Sequence, residues 1–255
     1  DSATSRELQQ LYVAYFSRPC DSSGLAYWLG EGISRNAFAA NMYLQPEFQN
    51  VNGNLTTASQ VNQIYWNLFK RDGDAAGLTY WTGQIANGVL RLAEIAVHLI
   101  WAAENNPGGE IDKQVLSNKT AAAIAYTSKI QSSTELTDAY VPKSTSPWIT
   151  GHNLTEAKNY IYEIDQYTTH SSSTIDNSIA KFISLSSSSN LRLLVDQTQS
   201  KIDKITGLET NIEISNSLEV TTNETNSSTS KITTNYHSLD IPHQEFVSHL
   251  YEEVL

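Results

Sequence analysis

Apolar residues recur along this chain at helical spacing, not at the alternation of a strand. Leu8, Leu11, Tyr12, Tyr15 and Phe16 stand at i, i+3, i+4, i+7 and i+8, which places them on one buried stripe of a helix. Val61, Ile64, Tyr65, Leu68 and Phe69 write the same stripe 53 residues later. The start signal is copied as well. Thr4 with Glu7 and Thr57 with Gln60 both fit a capping box, in which a hydroxyl and the side chain three residues on satisfy free backbone donors.

Each stripe runs into the same sentence. Phe16-Ser-Arg18-Pro-Cys-Asp21-Ser-Ser-Gly24-Leu25-Ala-Tyr27-Trp28 is answered by Phe69-Lys-Arg71-Asp-Gly-Asp74-Ala-Ala-Gly77-Leu78-Thr-Tyr80-Trp81. Asp21 and Asp74 sit where an N-cap belongs, Gly24 and Gly77 fall in the first turn, and Leu25, Trp28, Leu78 and Trp81 are expected to pack inward. A third helix follows in each copy, after Gly32-Ile33-x-Arg35 and Gly88-Val89-x-Arg91. The first spans about 34–45, carries Phe38 and Met42, and must stop before Pro46. Leu92, Ile95, Ala96, Leu99 and Ile100 take that face in the second copy. A duplicated signature of this kind points to a modular array, not to one catalytic pocket.

Beyond the repeats, a helix is predicted over 112–130, with the alanines 121–123 permitting close approach of a neighbour. Asn153 with Glu156 starts another, and shorter helices follow over 175–183 and 191–205. From 208 to 243 the pattern becomes a polar linker with a small hairpin at its start. Val247, Leu250, Tyr251, Val254 and Leu255 then restate the first-helix stripe. The expected organisation is all-α: repeat one over 1–53, repeat two over 54–110, a helical extension over 111–207, the linker over 208–243, and the start of a truncated third repeat over 244–255. On that reading the chain is a piece of a longer polypeptide.

Charge narrows the partners. A net charge of −11 and a pI near 4.9 argue against nucleic acid and against an anionic membrane surface, both of which need clustered Lys and Arg. No apolar run is long enough to span a bilayer. One cysteine, Cys20, rules out an internal disulfide framework and a multi-thiolate metal site. The Ser-, Thr- and Asn-rich composition leans toward a hydrated bacterial surface protein.

Two chemistries remain for the repeat. Asp21, Asp72 and Asp74 lie in loops whose carboxylates and carbonyls could supply oxygens to calcium. Tyr27, Tyr80 and Trp148 could stack on sugar rings, Trp148 being the indole expected to be most exposed because it follows Pro147 in a loop. No nucleophile elbow, zinc-protease helix or phosphate-binding glycine loop is written anywhere in the chain.

The pattern Leu-Tyr-x-x-x-Phe-x-Arg-x-x-Asp-x-x-Gly-Leu-x-Tyr-Trp, read over 8–50 and 61–106, resembles a bacterial domain of unknown function that recurs in tandem in secreted surface-layer, haemolysin-like and calcium-repeat proteins. That family's loop carries Gly where this chain has Ser17 and Lys70. The resemblance implies an all-helical fold, an extracellular setting and no reaction. It also implies docking onto cell-envelope polysaccharide with calcium. The expected function is a non-enzymatic module of a surface layer or filament at the bacterial cell surface, whose partners are its own copies or envelope polysaccharide. The alternatives are the targeting region of a secreted enzyme or toxin, and an intracellular scaffold, since phycobilisome linker domains are similar in the first helices.

Overall fold

A computed structural model describes residues 1–186, and they are all-α. The expectations for 191–205, for the linker and hairpin, and for the third repeat start lie outside the described residues. The first copy supplies α1 (Ser5–Phe16), α2 (Ser22–Glu31) and α3 (Arg35–Leu44), and the second supplies α5 (Thr57–Phe69), α6 (Ala75–Ala86) and α7 (Ile95–Asn105), the last entered by a 3-10 turn over Leu92–Glu94. The extension contributes α8 (Glu110–Ile130), α9 (Thr134–Ala139), α10 (His152–Tyr162) and a further helical run over 172–186, here α11.

Between the copies lies α4 (Pro46–Asn52), which the sequence reading does not contain. Pro46 does end α3 as expected. It also begins α4, because a proline at the first helical position gives up only a donor that has no partner there.

Sequence and structure agree closely on the stripes. Leu8 and Val61, Leu11 and Ile64, Tyr12 and Tyr65, Phe16 and Phe69 are all buried. The Thr4–Glu7 capping box forms in both directions. In the second copy the cap falls one residue earlier: Thr56 accepts from the Ser59 amide, and Gln60 instead donates to Leu55 O at 3.1 Å. Asn153 is likewise not a cap. Its amide donates to the carbonyls of Ala139 and Val141, tying down the loop before α10, and the helix starts at His152.

The two copies share one hydrophobic cluster. Helix α1 is at its centre, packed against α3, α5, α7 and α8. It meets α5 at corresponding positions, where the Asn67 amide donates to Ala14 O at 2.7 Å. The alanine run of α8 does its expected work: Ala122 and Ala123 are fully buried in a small cluster with Val13, Ile161 and Ile164. A separate cluster joins Tyr126, Tyr140, Leu154 and Phe182 in the extension.

Candidate functional site: the twin loops and the adjoining cleft

Both first helices end in a left-handed residue, Ser17 at φ 55° and Lys70 at φ 54°. This backbone region costs a side chain roughly 1–2 kcal/mol and glycine almost nothing. The chain then makes the same turn twice with different residues. Arg18 donates to Pro19 O at 3.1 Å, and Arg71 to Asp72 O at 2.8 Å. The Cys20 amide donates to Gln9 Oε1 at 3.0 Å, and the Gly73 amide to Asn62 Oδ1 at 2.8 Å. Asp21 accepts from the Gly24 amide, and Asp74 from the Gly77 amide, so both aspartates cap as predicted. The paired amides Gln9 and Asn62 were not singled out from the sequence, although they share the 53-residue offset.

Each arginine reaches out of its loop to an acid in the first turn of a later helix. Arg18 pairs with Glu47 through two bonds of 2.8 and 3.0 Å, and also with Asp21 at 3.2 Å. Arg71 pairs with Asp112 through bonds of 2.7 and 2.6 Å. The settings differ sharply: the Arg18 side chain is 1% exposed and that of Arg71 39%. Burial alone would lower the Arg18 pKa, but the charge and hydrogen bonds of Glu47, with Tyr140 and Asp21 adding to them, together outweigh it and hold the guanidinium charged. Aromatic rings of Tyr12, Phe16 and Tyr140 stand around it.

The twin glycines are required by close approach. A Cβ on Gly24 would lie 2.5 Å from the Tyr12 hydroxyl, and one on Gly77 would lie 2.9 Å from that of Tyr65. In the second copy Trp81 Nε1 donates to the Tyr65 hydroxyl at 2.9 Å. In the first, no such bond joins Trp28 to Tyr12. Instead a cleft of about 240 Å³ opens there, with Tyr12, Trp28, Asn41, Gln45, Pro142 and Trp148 among its walls.

The expected inward packing is met only in part. Leu25 is buried, whereas Trp28, Leu78 and Trp81 are half-buried at the edge of the core. The reason is that α2 and α6 lie on the outside of the cluster, so one face of each indole rests on it. Trp28 meets Phe38 edge-on at 5.3 Å. Trp148 is not the most exposed indole; it is half-buried in the cleft wall, and Trp101 is 57% exposed. Tyr27 and Tyr80 are 57% and 55% exposed, each edge-on to the tryptophan that follows it.

The three aspartates offered to calcium are each engaged within the protein. Asp21 is occupied by Arg18 and the Gly24 amide, Asp72 accepts from Asn62 at 2.8 Å and Trp66 at 2.7 Å, and Asp74 caps α6. Among the described residues no three His, Cys, Asp or Glu side chains gather to hold a metal. Cys20 is buried, and burial raises its thiol pKa well above the ordinary range, so it is no thiolate nucleophile.

Residues 39–107 match the family described as a domain of unknown function (DUF4214). The match runs from inside α3 to just past α7, across the seam between the copies, and leaves out α1 and α2. No curated protein and no solved structure matches the chain.

Proposed function

We propose that this chain is a non-enzymatic structural and anchoring module of a bacterial surface-layer or filament protein, which associates with its own copies or with cell-envelope polysaccharide. One observation carries the reading. The duplicated polar residues are consumed in holding the loops, while Tyr27 and Tyr80 stand exposed at matching positions of α2 and α6. A duplicated solvent-facing ring suits repeated contact with a repeating partner, whether a lattice neighbour or a polymer. A reaction would need unspent acids, bases or nucleophiles, and the twin loops offer none.

Sedimentation of the purified chain with calcium and with chelator, together with co-pelleting on bacterial cell envelopes, tests the proposal. Assembly or envelope binding that falls when Tyr27 and Tyr80 are both changed to Ala supports it. A chain that stays monomeric in both conditions and leaves envelopes untouched overturns it.

A further inference from the structure

The cleft between α2, the α3–α4 corner and the 140–150 loop has a chemistry that the fold does not use. Tyr12 is almost wholly buried as a residue, but its hydroxyl makes no hydrogen bond within the protein and is not among the buried atoms left without a partner, which places it on the open cleft that Tyr12 lines. Trp28 Nε1 is unengaged as well, whereas its counterpart in Trp81 is spent on Tyr65. The Asn41 Oδ1 accepts from Gln45 Nε2 at 2.9 Å, which leaves the Asn41 amide N–H groups and Gln45 Oε1 free beside each other. Four residues of one cleft thus hold unspent polar atoms, both donors and acceptors. Beside them the wall carries an apolar surface, chiefly the indoles of Trp28 and Trp148 with Met42, Pro46 and Pro142, and three charged side chains.

Charge sets the kind of guest. The only cation in the wall, Arg18, is already bonded to Glu47, Asp21 and Pro19 O, so it offers nothing to an anion. The carboxylates of Asp21 and Glu47 are equally committed, to Arg18, to the Gly24 amide and to Lys158, so they offer nothing to a cation. The guest is neutral. It presents an apolar face to indoles and, at its rim, groups that donate and accept together, as hydroxyls do. At about 240 Å³ the cleft has room for one ring, not for a run of peptide.

We infer that this cleft binds one uncharged pyranose ring of a glycan, seated against Trp28 and Trp148 and hydrogen-bonded by Tyr12, Asn41 and Gln45. The inference rests on the anchoring reading for its biological setting, but the binding itself is separable from it. It adds a seat for a single sugar ring to the exposed rings of Tyr27 and Tyr80. In copy two the Trp81–Tyr65 bond takes up the two polar groups that face this cleft in copy one.

The test is a titration of the whole chain with methyl glycosides of glucose, galactose, mannose, rhamnose and N-acetylglucosamine, followed by the indole N–H resonances. At least one glycoside is expected to shift Trp28 and Trp148 while leaving Trp66, Trp81 and Trp101 in place. Trp148→Ala should weaken that binding about tenfold or more, and Tyr12→Phe by less, with far-ultraviolet circular dichroism unchanged. Absence of shifts with every glycoside overturns the inference, as does a response confined to Trp81 or Trp101, or one that proline-rich peptide reproduces and sugar does not. Envelope co-pelleting of Trp148→Ala is read alongside. Glycoside binding in the cleft without envelope binding breaks the anchoring proposal and leaves the cleft standing, whereas envelope binding that survives Trp148→Ala and shows no glycoside shift does the reverse.

Discussion

The loops after α1 and α5 are built on the same hydrogen bonds, yet one seals its arginine inside the protein and the other leaves it at the surface. At the first copy Arg18, Asp21 and Glu47 are buried, and half-buried Lys158 of α10 balances their charge. In the second, Arg71 and Asp112 pair alone near solvent, and the cation buried close by is unpaired Lys119, whose ammonium donates to Asn67 O at 3.1 Å. The difference shows that the motif fixes a loop, while the surroundings decide what the loop is worth. At the cleft of the first copy no bond joins the tyrosine and tryptophan of the motif, whereas in the second copy they are bonded.

The sharpest way to break the comparison is to remove each arginine. Arg18→Ala leaves Glu47 and Asp21 buried without their partner and should cost about 3–5 kcal/mol. Arg71→Ala breaks a partly exposed pair and should cost under about 1 kcal/mol. Urea unfolding of the two variants measures both, and equal losses would show that burial is not what separates the copies.

Lys119 comes next. Burial, with Lys70 adding repulsion and Glu163 opposing it, pushes its pKa down to about 7. The folded chain therefore holds that proton less tightly than the unfolded chain does. Between about pH 7 and the ordinary lysine range near pH 10 the unfolded state binds more protons, so stability should rise with pH across that window, by an amount on the order of 3 kcal/mol. Lys119→Met should flatten the rise, as read from melting temperature against pH. A slope that persists in the variant would assign it elsewhere.

Smaller effects are expected from the glycines. Gly24→Ala drives a Cβ against the Tyr12 hydroxyl and the Asp21 carboxylate and should cost about 1–3 kcal/mol. Adding Tyr12→Phe should recover part of that, because the hydroxyl it removes has no hydrogen bond to lose. In the second copy Gly77→Ala clashes similarly, but Tyr65→Phe should bring no recovery, since it also strips the acceptor from Trp81. A double-mutant cycle in each copy reads the two couplings directly.

These contrasts mark how far the sequence could be read. The stripes, the Asp21 and Asp74 caps and the all-α class were legible because their causes are local, within one or two helical turns. Glu47 and Asp112 were not, since they follow their arginines by 29 and 41 residues and only tertiary packing brings them in. A signal existed nonetheless: each is an acid in the first turn of the helix that follows a copy's third helix. Trp28 and Trp81 were misplaced for a related reason. Helical spacing gives the face on which a residue stands but not how deeply its helix is sunk, and α2 and α6 ride on the surface. The cleft combines Trp28 of the first copy with Trp148 of the extension, so no window of sequence contains it.

One consequence follows from the tie that closes the first loop. Gln9 donates to Thr127 Oγ1, whose hydroxyl donates to Cys20 O, while Tyr140 donates to Pro19 O across 121 positions of chain. During synthesis α1 emerges first, and the partners that cover it arrive last. Until residues 116–140 are made, the central helix keeps one flank open and the first loop lacks its lock, a state with little to gain from settling early. The tie thus lets the first loop register what is made long after it: a chain interrupted within its first hundred residues has both copies of its signature and nearly all of their shared core, but lacks the hydroxyls of Thr127 and Tyr140 that hold Cys20 O and Pro19 O.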